Sequence, residues 1–362
     1  MELRRITLPL VTPFRTAAGT MVEREVLLVR VVGGEAEGWG ECAAFSEPTY
    51  TSEYVDGAAD VLERFLVPAL FARDGGATWV QGHRMAKAAL ETALLDADLR
   101  ARGESLSSFL GGVRTAVDAG VAVGIADSVG ELVDAVDRYV AEGYRRVKLK
   151  VQPGWDVEPV RAVRERFPDL ALQVDANGAY SLDGGGDGGA GVAALAALDA
   201  FDLLLVEQPL AADDLVGHAA LARRLRTPIC LDESIESAAD AAAALALGAC
   251  SVVNVKPGRV GGYLEARRVH DVCAAAGAPV WCGGMLETGL GRAANAALAA
   301  LPGFTLPGDL SASGRWYAQD VTEPLPLVDG RLAVPTGPGI GVAPLPEVLA
   351  AVTTSVRTLT PG

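Results

Sequence analysis

The chain has 362 residues, 50% of them apolar and 21% charged, a composition that excludes a disordered or fibrous protein and gives a core large enough for one or two domains. A formal net charge of −15 argues against nucleic acid as a partner, since phosphate binding needs a basic surface, and no apolar run reaches the ~18 residues of a membrane span. Five scattered cysteines (Cys42, Cys230, Cys250, Cys273 and Cys282) with no CxxC spacing point to reduced thiols and a cytoplasmic setting, not to a disulfide framework or a thiolate zinc site.

The opening Met1 to Arg5 leads into alternating residues and Pro13, with no apolar signal core. Residues 3–10 and 26–32 alternate or run apolar, and Gly33-Gly34 separates the second run from Gly38-Trp39-Gly40-Glu41. This pattern predicts a small antiparallel meander. Residues 52–70 and 84–102 have helical spacing, with Ala88, Leu90, Ala93, Leu94 and Leu99 forming one apolar stripe in the second.

From about residue 116 the rhythm changes. Short aliphatic runs recur at Val121–Gly124, Arg146–Val151, Leu170–Asp175, Leu203–Glu207, Ile229–Asp232, Val252–Lys256, Pro279–Cys282 and Phe304–Leu306. Between them lie helical stretches at 131–142, 157–166, 213–225, 237–247 and 263–276. Strands alternating with helices imply parallel βαβ units, and eight such units imply a closed barrel. The segment Asp183–Gly191, rich in Gly and Asp, lacks the Lys-Ser/Thr of a phosphate loop and is expected to be a flexible loop. After Asp320 the alternation stops. Asp329-Gly330 between Leu325–Val328 and Leu332–Val334 predicts a hairpin, and this tail is expected to return to the N-terminal domain. The division is therefore an α+β capping domain over residues 1–115, a (β/α) barrel over 116–320 and a returning tail over 321–362.

The informative feature is the charge at the strand ends. Asp175, Glu207, Asp232 and Lys256 close four of the runs, and Lys148 and Lys150 lie two apart on another. In a (β/α) barrel the C-terminal strand ends meet at one mouth, where active sites sit. Three carboxylates gathered there repel one another unless a cation joins them. Oxygen-only ligands suit a hard cation such as Mg²⁺, with Mn²⁺ as the alternative. Glu233 and Asn177 are natural supporting or alternative ligands, Asn177 because period-two alternation points it to the side of Asp175. Lys148 and Lys150 share one face of their strand, and Lys256 faces them across the mouth. Neighbouring positive charge and partial burial are expected to lower a lysine pKa toward the range of a working base. The metal would bind a substrate carboxylate and stabilise the enediolate left when the α-proton departs. His83, His218 and His270 form no HxH or HxxxH pair and are read as structural or exposed.

At this point Lys148-Leu149-Lys150, Asp175-Ala176-Asn177, Val206-Glu207-Gln208-Pro209, Asp232-Glu233-Ser234 and Lys256-Pro257-Gly258-Arg259 resemble the enolase superfamily, muconate lactonizing enzyme subgroup. Trp39-Gly40-Glu41 looks like the end of its capping domain. Val334-Pro335 and Pro338-Gly339-Ile340-Gly341 look like its C-terminal return. The resemblance implies a (β/α) barrel of modified TIM type with an α+β capping domain completed by the C-terminal tail. It implies Asp175, Glu207 and Asp232 as Mg²⁺ ligands, Lys150 and Lys256 as the acid/base pair, and Lys148 near the substrate carboxylate. Glu233, Ser234, Asn177, Arg259, Met285, Glu287, Phe14 and Tyr50 would bind the substrate or support the ligands, Phe14 and Tyr50 from substrate-closing loops. Cys282 to Glu287 contains no histidine, unlike the mandelate racemase branch.

Gly283 to Gly289 and Pro307 to Ser311 further resemble the o-succinylbenzoate synthase / N-succinylamino acid racemase family. Dipeptide epimerases usually carry Asp-x-Asp on the eighth strand, and Asp309-Leu310-Ser311 supplies only the first Asp. The chain reads Val123-Gly124-Ile125-Ala126 where a serine is expected, so a substrate hydrogen bond is missing there. The expected activity is that of an o-succinylbenzoate synthase, the syn-elimination of water from a cyclohexadiene carboxylate in menaquinone synthesis. The alternatives are an N-acylamino acid racemase, then a muconate-type cycloisomerase and, remotely, a non-catalytic metal-binding scaffold. The expected partners are a small carboxylate substrate and further copies of the chain in a homo-oligomer.

Overall fold

A computed structural model describes residues 1–16, 19–33, 36–72, 79–182 and 188–361. The alternating N-terminal runs form long antiparallel strands, β1 (Glu2–Thr16) and β2 (Gly19–Gly33), followed by β3 (Ala36–Cys42). Period two decides what each face of β2 covers. Val26 and Leu28 join the core that runs through the barrel, whereas Leu27 and Val29 join a second cluster with Val55, Leu62, Met85 and Ala89. The predicted helix over 52–70 consists of Val55–Val61, a π-turn at Leu62–Leu66 and Val67–Phe71. The helix Arg84–Arg102 begins where Glu53 accepts hydrogen bonds from the amides of Met85 (3.0 Å) and Ala86 (3.3 Å), and it ends at Gly103, φ 67°.

The barrel begins beyond β4 (Ala116–Asp118). Its strands are β5 (Gly120–Val123), β6 (Arg146–Lys150), β7 (Ala171–Asp175), β8 (Val206–Glu207), β9 (Ile229–Leu231), β10 (Val252–Val255) and β11 (Val280–Cys282). Each is parallel to the next in chain order. The eighth run departs from expectation. Phe304 bridges Val280 and Gly308 bridges Ala119, and Gly120 N donates to Gly308 O at 2.7 Å. The ring thus closes through isolated bridges instead of a continuous strand. Pro307, which has no N–H, interrupts the segment. The helix Gly289–Ala299 is not among the predicted ones; it carries two polar side chains, Arg292 and Asn295. Every one of its residues is buried. Of the segment Asp183–Gly191, residues 183–187 lie outside the described residues, and a helix, Gly188–Leu198, begins at its end. Among the described residues no helix is long and apolar enough to cross a membrane.

The tail divides its contacts. β12 (Leu327–Val328) and β13 (Arg331–Ala333) form the expected hairpin, with Asp329 and Gly330 at φ 49° and 73° as a type I′ turn demands. It pairs with β4 and not with the capping sheet, which corrects the expectation of a simple return. Leu332 is fully buried and Arg331 Nε reaches Asp118 at 2.8 Å, so the hairpin covers the barrel at the end opposite the mouth. The return to the capping domain is made by β14 (Thr353–Thr358), antiparallel to β1.

Two glycines set the closeness of the capping layers. A Cβ on Gly38 would lie 2.2 Å from Ala93 O, and one on Gly40 would lie 1.9 Å from Ala89 O. The helix Arg84–Arg102 rests directly on the backbone of β3. Backbone cannot yield as a flexible side chain can. Gly40→Ala is expected to destabilise the protein by about 3 kcal/mol, read as a lowered urea midpoint, while a Gly19→Ala control should differ through backbone strain alone.

Candidate active site

Parallel pairing brings the ends of β6 to β10 to one mouth, which opens into a cavity of about 670 Å³. Lys148, Lys150 and Lys256 all line it, and the capping domain covers it with Phe14, Phe45 and Tyr50. β6 and β10 are four strands apart in the sheet order, so their lysines stand on different sides of the ring. Lys150 Nζ donates to Asp175 Oδ2 and Asn177 Oδ1, both at 2.6 Å. Lys256 Nζ donates to Asp232 Oδ2 at 2.8 Å and to the Tyr50 hydroxyl at 3.0 Å, and it lies 4.5 Å from the centre of the Tyr50 ring. Lys148 is the most shared, contacting Asp309 Oδ2 at 2.7 Å, Glu207 Oε2 at 3.1 Å and Asp175 Oδ2 at 3.2 Å, over the Trp281 ring at 4.9 Å.

At Lys148 and Lys256 burial and the neighbouring charges act in opposite directions. Burial by itself pushes the Lys148 ammonium down, but the carboxylates of Asp309, Glu207 and Asp175 outweigh it and hold the group above the ordinary lysine range. Burial is likewise outweighed at Lys256 by the Tyr50 oxygen, Glu233 and Glu207. Each of these two ammonium groups faces several acidic oxygens at once, so opposite charge wins over desolvation. Asp175 shows the reverse side of the same contacts. Burial raises its carboxyl, yet Lys150 and Lys148 bring it to about 2.

The donor set fits a hard cation. Asp175, Glu207 and Asp232 are each no more than 1% exposed, and they offer only oxygen. Burial and the charge of Asp175 push the carboxyls of Glu207 and Glu233 upward, and Glu233 Oε2 has no hydrogen-bond partner. Positive charge therefore collects between the acids, supplied by the lysine ammonium groups and by Arg259, which is bonded to Asp232. Among the described residues no three acidic, histidine or cysteine side chains stand close enough, as they are, to hold a metal ion.

The remaining expected residues fall into two groups. Asn177, Glu233, Met285, Glu287, Phe14 and Tyr50 line the cavity. Asn177 is there for another reason than strand alternation. β7 has ended, Asn177 has φ 44°, and its amide donates to Asp175 Oδ1 at 3.0 Å. Phe14 sits where the β1–β2 register shifts and packs edge-on against Trp316 at 5.1 Å. Glu287 accepts from the amide of Met285 at 2.8 Å and so shapes its own loop. Ser234 and Arg259 do not line the cavity. Ser234 Oγ accepts from Gln208 Nε2 at 2.7 Å, and Arg259 bonds to Ile235 O, Asn254 O and the Tyr50 hydroxyl beneath it. Ala126 does not line it either.

Four further contributors have no site role predicted from the sequence, although Asp309 and Gln208 lie within the family-like motifs. Asp309 joins Lys148 to Arg146, whose Nη1 is 2.7 Å away. Asn254 Nδ2 donates to Glu207 Oε1 at 2.8 Å. Gln208 Oε1 accepts from the amides of Asp232 (3.0 Å) and Ser234 (3.3 Å) and so fixes that turn. Arg146 and Asn254 carried a signal, since each lies two residues before a site lysine and shares its face.

Residues 2–111 match the family described as mandelate racemase / muconate lactonizing enzyme, N-terminal domain, and residues 131–348 match the family described as enolase C-terminal domain-like. The chain is 62% identical over 364 residues to an N-succinylamino acid racemase of Amycolatopsis sp, covering 98% of this chain and 97% of the relative. It is 47% identical over 349 residues to an o-succinylbenzoate synthase of Geobacillus kaustophilus, covering 94% and 91%. A crystal structure of an enolase superfamily member from Listeria innocua is similar with a TM-score of 0.92 at 39% identity, covering 98% of this chain and 97% of that one. With both domains matched, relatives similar along nearly their whole length, and lysines and acids gathered at one barrel mouth, the chain belongs to the enolase superfamily.

Proposed function

We propose that this enzyme removes the proton α to a substrate carboxylate, and that its principal reaction is that of an o-succinylbenzoate synthase, a syn-dehydration serving menaquinone synthesis. The observation that carries the reading is that Lys150 and Lys256 line one cavity from different sides of the barrel but are held differently. Lys256 is enclosed by Asp232, the Tyr50 hydroxyl and the Tyr50 ring. Those neighbours favour its charged form, so it suits a fixed cation beside developing negative charge. Among the described residues Lys150 bonds to Asp175 and Asn177 alone and suits the base. In the dehydration Lys150 takes the α-proton and the electron pair of the broken C–H bond moves into the carboxylate. That pair then returns to form the new C=C bond, the C–O bond to the neighbouring carbon breaks, and the departing hydroxide takes the proton back from Lys150 and leaves as water. One base on one face is enough. Lys148, pinned by Asp309, Glu207 and Asp175, presents a second fixed charge to the substrate carboxylate. Asp175, Glu207 and Asp232 would hold Mg²⁺ or Mn²⁺, which when bound supplies further positive charge to the carboxylate as the proton departs.

A second reading is racemisation of N-succinylamino acids. It is supported by the 62% identity to the Amycolatopsis racemase and by the presence of both lysines on one cavity. Racemisation delivers a proton to the face opposite the one that lost it, so both lysines must exchange protons with the substrate.

The lysines separate these readings. Lys150→Ala is expected to lower dehydration by about 10³-fold or more, whereas Lys256→Ala should leave α-proton exchange measurable for one enantiomer of an N-succinylamino acid. Proton NMR in D₂O, with both enantiomers and both variants, reads the outcome. Racemisation at the wild-type rate by either variant would show the two-base assignment to be wrong.

The cation has its own test. Exhaustive chelation is expected to abolish activity until Mg²⁺ or Mn²⁺ is restored. Asp232→Asn is expected to weaken Mn²⁺ binding by about 100-fold, read by calorimetry independently of turnover. Full activity after chelation would eliminate the proposed metal role.

A further inference from the structure

Four arginines rank among the largest fully buried side chains: Arg24, Arg146, Arg259 and Arg292. Burying a guanidinium without compensating charge is unfavourable. Arg146 is compensated by Asp309, and Arg259 by Asp232. Arg292 donates to Glu287 O, Ser311 O and the Ser311 hydroxyl, and it does not line the cavity. Arg24 differs from all three. It lines the active-site cavity, it is 1% exposed, and it has no carboxylate partner among the described residues.

The donors of Arg24 can be accounted for one by one. Nη1 donates to Glu25 O at 2.6 Å and to Ala44 O at 2.7 Å, and Nη2 donates to Ala43 O at 2.9 Å. A guanidinium has five N–H groups. Nε–H has no partner, and one Nη2–H is also left over. These belong to neighbouring nitrogens of one planar fork, the arrangement that takes a carboxylate through two parallel hydrogen bonds. The Phe45 ring, 4.8 Å from Cζ, backs the group and keeps water from that side. The acid whose charge Arg24 reaches, Glu41, is already occupied with Thr288 (2.6 and 3.0 Å) and Gly291 (3.0 Å).

We propose that Arg24 reads a second, distal carboxylate of the substrate, so that the enzyme selects dicarboxylates spanning from the barrel lysines to the capping-domain wall. This rests on the α-proton reading above and extends it to substrate class. Both candidate substrates carry a succinyl group, whose free carboxylate lies at the far end from the reacting carbon. The barrel cations hold the carboxylate next to the chemistry, and Arg24, carried by β2 of the other domain, holds the end that does not react. A monocarboxylate would leave the buried guanidinium uncompensated in the filled cavity, and that penalty is the source of selectivity.

The test compares an N-succinylamino acid with its N-succinamoyl counterpart, in which the distal carboxylate is a neutral amide. Binding is measured by calorimetry with Mg²⁺ present, and α-deuterium exchange is followed in parallel. The wild type is expected to bind the carboxylate form about 100-fold more tightly. Arg24→Met should bring that ratio near unity. Arg24→Lys should give an intermediate ratio, because it keeps the charge and loses the fork. A wild-type ratio near unity, or an unchanged ratio in Arg24→Met, would overturn the assignment. The wild-type and Arg24→Lys ratios decide the matter even if Arg24→Met fails to fold. Preferential binding without α-exchange would sink the function reading and leave Arg24 standing, whereas exchange without preference would do the reverse.

Discussion

The structure turns on one electrostatic constraint, the burial of several carboxylates and several cations in the same small volume at a barrel mouth. Asp175, Glu207 and Asp232 are each no more than 1% exposed, and Lys148 and Lys256 are 3% and 6% exposed. None of these charges is tolerable alone in that setting. Lys148 answers three acids at once, Lys256 and Arg259 share Asp232, and Asn254 and Asn177 add neutral hydrogen bonds to Glu207 and Glu233. The mutual dependence explains why the site is built from strands. Rigid parallel neighbours keep the charges in register, as where Lys150 stands opposite Asp175 in the β6–β7 ladder, and a loop would not hold so many desolvated groups at hydrogen-bonding distance.

The capping domain is coupled to this network through backbone and buried polar contacts. β3 lies so close to the helix Arg84–Arg102 that only glycine fits at residues 38 and 40. Two residues on from Trp39, Glu41 crosses to the barrel and accepts from Thr288 and Gly291. It thereby satisfies orphan amides at the start of the helix Gly289–Ala299. Burial and the nearby Glu287 offset that stabilisation, and the Glu41 carboxyl is pushed up to about 7. The same domain sends Tyr50 onto Lys256 and Phe14 onto Trp316. The cavity is a joint product of the two domains, and its chemistry is divided between them.

That division gives a physical account of how two activities can coexist in a family. In the proposed reaction, proton removal would rest on the barrel lysines and acids, which both readings share, and the fate of the deprotonated substrate would rest on how free Lys256 is to give up its proton. Lys256 is bonded to Tyr50, a capping-domain residue, and to Asp232. Differences in the cover can therefore alter the outcome without altering the first step.

The primary sequence by itself determined the alternation of strands and helices, the lysine pair two apart on one strand face, and the acids at successive strand ends, because period and spacing are local properties of a chain. It also determined the Asp329-Gly330 turn, whose positive φ values are a local demand. Only the tertiary structure decided the rest. Whether Phe304–Leu306 would complete a strand depended on how Pro307 met the closing bridges to β5 and β11. The hairpin found β4 instead of the capping sheet because its apolar Leu332 could be fully buried there. Gly289–Ala299 is buried on every side, its polar Arg292 and Asn295 included, because partners from elsewhere in the chain meet them. The direction in which Lys148 and Lys256 are held is set by which acidic oxygens arrive from other elements. Asp309, Asn254 and Arg24 acquire meaning only when residues distant in the chain become neighbours, and those pairings are long-range properties that no local pattern encodes.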